Sequence, residues 1–170
     1  DVYKRQVVEA SGVAEPREIR DNFLNVATSQ PELLSGARLH TMVTVVDAVN
    51  LLKDYSSHEF LRDRGETTGE EDDRTLVHLL TDQIEFANVV ILNKVTDAGP
   101  DKVDAARKII RSLNADARII ETDQSDVASE AILDTELFDF EKAHEHPMWA
   151  KELYGFADHV PETEESVSYT

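Results

Sequence analysis

The 170-residue sequence predicts an α/β fold with a mainly parallel sheet flanked by helices. Short, continuous apolar runs alternate with stretches whose apolar residues recur at helical spacing. In addition, polar or acidic residues follow each apolar run directly. Buried parallel strands form unbroken apolar runs because both faces of their sheet are covered, and ligands bind beyond the carboxyl ends of such strands. We therefore expect the functional residues immediately after the strands.

Several apolar runs are predicted to be strands. Residues 39–46 are rich in β-branched side chains and apolar on both faces, which predicts a strand buried on both sides that ends at Asp47. The remaining predicted strands are Val7-Val8, residues 89–92 and residues 117–121.

Amphipathic helices are predicted between these strands. The spacing of apolar residues predicts helices over residues 17–28 and 75–87, and a short one over residues 128–133. Another helix is expected to begin at Gly99-Pro100, because proline suits the first position of a helix.

Composition excludes several classes of function. The chain has 35 Asp and Glu against 17 Lys and Arg, a net charge of −18, so neither nucleic acid nor an anionic membrane is an expected partner. No apolar run approaches the roughly 18 residues that span a bilayer, and a cytoplasmic protein is predicted. The absence of cysteine excludes disulfides and thiolate metal sites within these residues.

The first candidate site follows Val7-Val8. Glu9 comes directly after this run, and Gly12 follows three residues later. A carboxylate at a strand end can hold a Mg²⁺-bound water or orient an attacking water, and a glycine lets a backbone N–H approach a phosphate. A strand-terminal acid beside a turn glycine, without further role, is the alternative interpretation.

The second candidate site is Asn93-Lys94, directly after the run 89–92. P-loop GTPases bind guanine with an Asn and an Asp from one such loop, while the Lys stem lies along the base. An Asn-Lys pair also makes an ordinary polar turn. Asp47 is either a second strand-end acid near Mg²⁺ or a helix N-cap.

Four segments together resemble the CobW family of P-loop GTPases, which are related to the hydrogenase and urease nickel-insertion GTPases. The resemblance implies a P-loop NTPase-like fold and a GTP-binding, GTP-hydrolysing metallochaperone or metal-homeostasis protein. Such a protein uses GTP and Mg²⁺ and delivers Zn²⁺ or Co²⁺ to a client metalloprotein. A non-catalytic acidic α/β interaction module is the alternative. The matching segments are residues 7–16 (VVEASGVAEP), 39–55 (LHTMVTVVDAVNLLKDY), 69–94 (GEEDDRTLVHLLTDQIEFANVVILNK) and 159–165 (HVPETEE).

The resemblance also implies roles for individual residues. Glu9 is similar to the family's strand-end Glu, which acts on the magnesium side and in hydrolysis. Gly12 resembles the glycine that senses the γ-phosphate. Asn93 and Lys94 resemble the guanine-reading motif, and Thr122 occupies the loop where related GTPases support the base with main-chain groups.

The sequence departs from the family pattern in three ways. It contains neither the phosphate loop, G-x-x-x-x-G-K-[ST], nor the Cys-x-Cys-Cys metal motif. The usual Asn-Lys-x-Asp spacing is also lengthened, since Asp97 lies four residues after Asn93. Either Asp97 reaches the N1 and N2 edge of guanine through a one-residue bulge, or Thr96 substitutes for it poorly.

These departures predict how the chain is organised. Residues 1–6 (DVYKRQ) are expected to be foreign or unstructured, because their charged side chains do not suit a buried strand. Residues 7–156 are expected to form the C-terminal part of a CobW-like GTPase domain, incomplete at its N-terminus. Residues 157–170 would begin a linker or C-terminal domain. Both missing motifs would lie upstream of Val7, so the chain alone is expected to be inactive.

Overall fold

The structure is a computed structural model that describes residues 7–10, 12, 14, 16, 19, 26, 29, 38–56 and 75–139. The chain divides into two compact units, Asp1–Leu137 and Phe138–Thr170. Only residues 138 and 139 of the second unit are described, so the fold presented below is that of the first unit.

In the described part of the first unit, two helices lie between each strand and the next. The strands β1, β2 and β3 form a parallel sheet in the order β1-β2-β3, which confirms the predicted α/β class. The strands are β1 (Val43–Asp47), β2 (Val89–Asn93) and β3 (Arg118–Glu121), and the helices are α1 (Leu51–Tyr55), α2 (Leu76–Glu85), α3 (Val95–Ala98) and α4 (Pro100–Leu113), with a 3₁₀ turn at Ser129–Ala131.

The central strand β2 anchors the sheet in the core. Val90 and Leu92 are completely buried and belong to one apolar cluster with side chains of α1, α2 and α4. Val89 and Ile91 point to the other face and are also buried, at 0% and 5% exposure. Because β2 pairs on both edges and is covered on both faces, its sequence is continuously apolar, as predicted.

Helix α4 packs onto this cluster through one stripe of side chains. Val103, Ala106 and Ile110 are buried, and they are spaced three and four residues apart, as one helix face requires. Gly99 has a φ of 77° between α3 and α4, a conformation that glycine adopts without strain. Pro100 then begins α4, as the sequence predicts.

One side chain, Asn114, fastens the end of α2 to the end of α4. Its Nδ2 donates to the carbonyls of Ile84, Glu85 and Ala87 at 3.0, 3.0 and 2.9 Å, and its Oδ1 accepts from the N–H of Ala117 at 3.0 Å. Carbonyls in the last turn of a helix lack intrahelical partners, so Asn114 supplies a donor at the end of α2, where the carbonyl of Ile84 also accepts from the N–H of Ala87 at 3.3 Å.

One strand prediction is wrong, and another is confirmed only in part. Val7 and Val8 are not in a strand and are 75% and 77% exposed. The strand predicted over residues 39–46 begins only at Val43, and Val43 and Val45 are 39% and 57% exposed. Val43 and Val45 lie on the same face of β1, so this face is partly exposed, whereas the prediction assumed cover on both faces.

The remaining helix predictions hold with small changes. Helix α2 confirms the prediction for residues 75–87, with Thr75 Oγ1 as its N-cap acceptor, and the helix predicted over 128–133 shortens to a 3₁₀ turn. The helix predicted over 17–28 falls mostly outside the described residues, although Ile19 and Val26 are helical. No helix in the described ranges is long and apolar enough to cross a membrane.

Candidate functional site

The carboxyl ends of the three strands bring the predicted site residues of β1, β2 and β3 to one edge of the sheet. Asp47 is the register partner of Asn93, and the carbonyl of Asn93 accepts from the N–H of Ala48 at 2.9 Å. Thr122 directly follows β3, and its N–H donates to the carbonyl of Leu92 at 3.0 Å. Side chains that are far apart in the sequence therefore lie on neighbouring strand ends, as expected for a parallel sheet.

Asn93 is half-buried at the end of β2 and is held by the loop after β3. Its Oδ1 accepts a hydrogen bond from the N–H of Ser125 at 2.9 Å. A backbone N–H requires an acceptor, so the oxygen end of the amide faces Ser125 and the Nδ2 end is the one that can donate to a ligand. The hydrogen bond from Ser125 thus fixes the orientation of the Asn93 amide.

Lys94 adopts a left-handed backbone conformation, with φ of 62° and ψ of 38°. This turn carries the chain from β2 into α3. Its Nζ donates to Asp47 Oδ2 at 2.7 Å, and this hydrogen bond raises the pKa of Lys94 above its ordinary value. The aliphatic stem of Lys94 therefore runs across the ends of β2 and β1.

Asp47 accepts hydrogen bonds on both carboxylate oxygens. Oδ1 accepts from the N–H groups of Val49 and Asn50 at 2.8 and 3.3 Å, and Oδ2 accepts from Asn50 Nδ2 at 2.9 Å as well as from Lys94. Burial opposes ionisation, but the hydrogen bonds from Lys94, Val49 and Asn50 outweigh it and hold the pKa of Asp47 below its ordinary value. Asp47 thus caps the turn before α1, whose own N-cap residue is Asn50.

The loop after β3 is hydrogen-bonded to the segment after β2. We call residues 93–97, which lead from the end of β2 into helix α3, the Asn93 loop, and residues 122–126 the Thr122 loop. The carbonyl of Thr122 accepts from the N–H of Val95 at 3.3 Å, and Asp123 accepts from the N–H of Thr96 at 3.0 Å and from its hydroxyl. Together with the contact between Asn93 and Ser125, these hydrogen bonds join the two loops along their length.

The Thr122 loop has an internal support of its own. Thr122 is 9% exposed, and its hydroxyl donates to the carbonyl of Asp126 at 2.7 Å. Gln124 and Ser125 have φ values of 53° and 55°, which turn the chain back toward Asn93. The hydroxyl thereby closes a compact turn at the end of β3.

Two carboxylates, Asp97 and Asp123, accompany these loops. Hydrogen bonds from the hydroxyl and N–H of Thr96 hold the pKa of Asp123 below its ordinary value. Asp97 lies in α3 with an exposed side chain, and its charge contributes to the raised pKa of Lys94. The sequence prediction named Asp97 and did not name Asp123, although Asp123 also follows a strand end.

Glu9 and Gly12 lie in a separate, exposed segment. Gln83 Nε2 of α2 donates to the carbonyls of Gly12 and Ala14 at 2.8 and 3.4 Å. A Cβ atom at Gly12 would meet no other atom within 4 Å, so packing does not require glycine there. Of the hydrogen bonds between described residues, none connects Glu9 with the Asn93 or Thr122 loop.

A dedicated metal centre is not found in the part of the chain that the structure describes. No group of three or more His, Cys, Asp or Glu side chains there is arranged to hold a metal ion. At Asp47 each carboxylate oxygen already accepts two hydrogen bonds, one of them from the ammonium of Lys94.

Three parallel strands whose carboxyl ends carry Asp47, Asn93 and Thr122 define an α/β domain with a candidate binding site at these strand ends. The chain belongs to the family described as "CobW/HypB/UreG, nucleotide-binding domain", which matches residues 3–121. This confirms the family resemblance and the P-loop NTPase-like fold.

A curated relative supports the same assignment. The chain is 42% identical, over 158 residues, to "Zinc-regulated GTPase metalloprotein activator 1" of Dictyostelium discoideum. The match covers 92% of this chain and 33% of the relative, so the chain spans about one third of that protein's length. No solved structure matches the chain.

Proposed function

We propose that this chain is part of a GTP-binding, GTP-hydrolysing metallochaperone or metal-homeostasis protein, in which the Asn93 and Thr122 loops form the guanine pocket. The observation that carries the proposal is the placement of Asn93 and Lys94 at the end of the central strand, with the Asn93 amide fixed by Ser125. Membership of the CobW/HypB/UreG family supports it.

The chemistry of the two loops suits guanine. A guanine ring offers acceptors at N7 and O6 and donors on its N1 and N2 edge. Asn93 Nδ2 is oriented as a donor, and the stem of Lys94 provides an apolar surface beside the ring. Thr122 supports the pocket through its hydrogen bonds, and an acidic side chain of these loops completes it by accepting from N1 and N2. The sequence assigns that acid as Asp97.

The phosphate side of the site involves Glu9 and Gly12. Phosphoryl transfer depends mainly on positioning and charge neutralisation, and Glu9 would hold a magnesium-bound water or orient the attacking one. Neither packing nor a positive φ requires glycine at position 12. This supports a role for Gly12 in letting a phosphate approach the backbone. Asp47 is less suited to Mg²⁺, because donors already occupy both of its oxygens.

The phosphates themselves need a further element. These 170 residues contain no G-x-x-x-x-G-K-[ST] motif, so the β- and γ-phosphates require a loop from outside them. Residues 7–156 would then supply the base-reading and hydrolytic parts of the GTPase domain. We expect negligible GTP hydrolysis by residues 1–170 alone.

Metal and partner are proposed from the relative. That protein is named as zinc-regulated and as an activator of a metalloprotein, and the present chain covers one third of it. We propose Zn²⁺, with Co²⁺ as the alternative, as the cargo, and a metalloprotein as the client, in the cytoplasm. The net charge of −18 supports a protein partner rather than nucleic acid or an anionic membrane.

Nucleotide titration of the full-length polypeptide that carries this sequence tests the proposal. Asn93→Ala should weaken GTP binding more than ATP binding, and Glu9→Ala should abolish hydrolysis while GTP still binds. Asp116→Ala, at an exposed position on the connection before β3, is the matched control. Equal losses of GTP and ATP affinity in Asn93→Ala would remove Asn93 as the base reader, and no nucleotide binding at all would favour the non-catalytic interaction module.

A further inference from the structure

We propose that Asp123, rather than Asp97, is the carboxylate that accepts hydrogen bonds from the N1 and N2 edge of guanine. The inference rests on the proposed function, because it assumes that the Asn93 and Thr122 loops bind a guanine nucleotide. It goes beyond that function by assigning base specificity to a residue on the Thr122 loop, outside the Asn-Lys motif.

The position that normally carries the acid is occupied by Thr96. In the Asn-Lys-x-Asp pattern the acid is the third residue after Asn, and the third residue after Asn93 is Thr96. A threonine hydroxyl has a single proton and one oxygen, so it cannot accept the two parallel donors of guanine as a carboxylate does.

A carboxylate, that of Asp123, nevertheless lies in direct contact with Thr96. Asp123 Oδ1 accepts from the N–H of Thr96 at 3.0 Å, and Oδ2 accepts from the hydroxyl of Thr96. An ionised carboxylate has about four acceptor sites, of which Thr96 uses two. Acceptor capacity for two donors of a ligand therefore remains next to Thr96.

The environment of Asp123 suits a base reader. Its side chain is half-buried, so a ligand can reach it. The hydrogen bonds from Thr96 also hold its pKa below the ordinary value, which agrees with an ionised, accepting carboxylate. Ser125, two residues later, orients the Asn93 amide, so the same short loop places Asp123 close to the other base-reading side chain.

Asp97 is placed less favourably. Thr96 and Asp97 are consecutive residues of helix α3, and consecutive side chains of a helix point roughly 100° apart. Since Thr96 faces Asp123 on the Thr122 loop, the side chain of Asp97 leaves the helix in a different direction. Its exposed position near Lys94 agrees with this geometry.

An isosteric substitution separates base recognition from loop support. In Asp123→Asn the amide oxygen can still accept from the N–H of Thr96, and the hydroxyl of Thr96 can rotate to accept from the new amide nitrogen. The loop contact is kept, but one acceptor toward the ligand becomes a donor. Xanthine carries a carbonyl where guanine has its 2-amino group, so the amide suits xanthine better.

The test compares GTP and XTP binding to the full-length polypeptide and its variants, using fluorescent analogues of both nucleotides. Asp123→Asn should lose about 10- to 100-fold in GTP affinity and gain in XTP affinity, so that the preference shifts toward XTP. Asp97→Asn, which makes the same change of charge, should keep the preference for GTP. Asp126→Asn controls for loss of charge within the Thr122 loop.

Each other outcome has a defined meaning. If Asp97→Asn produces the shift toward XTP, Asp97 is the base-reading acid and the inference is overturned, while the proposed function stands. If Asp123→Asn weakens GTP and XTP equally, Asp123 supports the loop without reading the base, and the inference is also overturned. If the unmodified protein binds no guanine nucleotide, the proposed function fails together with the inference.

Discussion

The ammonium of Lys94 and the carboxylate of Asp47 lie 2.7 Å apart, although 47 residues separate them in the sequence. The contact forms because β1 and β2 are parallel and Asp47 is in register with Asn93. It ties the start of the Asn93 loop to the end of the neighbouring strand. Its contribution to stability should depend on pH.

Substituting Asp47 tests this dependence. The pKa of Asp47 is lower in the folded protein than its ordinary value. Ionised Asp47 therefore stabilises the fold fully at pH values above that ordinary pKa. This contribution is lost as the pH falls through the pKa of the folded state. Asp47→Asn should lower the melting temperature near pH 7 by no more than about 2–4 °C, because the pair is partly exposed. Thermal unfolding from pH 7 to pH 3 should show the difference from the unmodified protein shrinking.

Alanine at the same position should cost more. Asp47→Asn retains an oxygen that accepts from the N–H of Val49, whereas Asp47→Ala leaves the turn before α1 without its cap. A difference in melting temperature between the two variants that persists at pH 3 would measure the contribution of the cap, because both variants lack the ion pair. Identical curves for the two variants would contradict this division of roles.

Asn114 is predicted to be a sensitive position for stability. Asn114→Ala removes a donor to three carbonyls and an acceptor for Ala117, and should lower the free energy of unfolding by about 2–4 kcal/mol. Asn114→Asp should be at least as destabilising near pH 7, because it directs a carboxylate at carbonyl oxygens. Urea denaturation measures both, with the exposed Asp116→Asn as control.

The stability of Asn114→Asp should also depend on pH in a defined direction. A carboxyl group that faces carbonyl oxygens has a pKa raised by folding, so Asn114→Asp should regain stability as pH falls and the carboxyl becomes a donor. Stability of Asn114→Asp that stays flat between pH 7 and pH 4 would argue against the arrangement around Asn114.

Much of this fold could be predicted from local pattern, and the exceptions share a cause. The runs that became β2 and α4 were identified because each is buried in a way that its own spacing displays. The exposure of Val7 and Val45 was not predictable, because it depends on which neighbours cover them. An apolar sequence indicates that a segment can be buried, but it does not identify what covers it.

The candidate site shows the same division. The rule that ligands bind at strand ends located Asp47, Asn93 and Thr122 correctly at one edge of the sheet. It did not reveal that Asp47 binds Lys94 or that Asp123 binds Thr96, because these contacts depend on strand register and loop path. The acidic residue directly after Thr122 was not named, although it also follows a strand end.

Thr122 should affect nucleotide affinity through the shape of its loop. Thr122→Val keeps the volume but loses the hydroxyl that donates to Asp126, which should weaken GTP binding to the full-length polypeptide by about 3- to 10-fold. Thr122→Ser retains the hydroxyl and should bind nearly as well as the unmodified protein. Equal affinities for Thr122→Val and Thr122→Ser would show that the hydroxyl is not needed.

Gln83 should control the segment that contains Gly12. Gln83→Glu replaces the donor to the carbonyls of Gly12 and Ala14 with an acceptor, while the carbonyl of Gln83 keeps its hydrogen bond from Thr44. We expect backbone amide exchange around Gly12 to accelerate, with exchange in α4 unchanged. Unaltered exchange near Gly12 would show that this contact does not hold the segment.

The hydrogen bonds between the Asn93 and Thr122 loops have a consequence for protein engineering. Asn93, Val95 and Thr96 each form a hydrogen bond with a residue of the Thr122 loop, so the conformation of residues 93–97 depends on contacts from outside that segment. Transplanting residues 93–97 alone into another scaffold would transfer the residues of the motif without the hydrogen bonds from the Thr122 loop. The smallest portable unit is the pair of loops, mounted on two adjacent parallel strands.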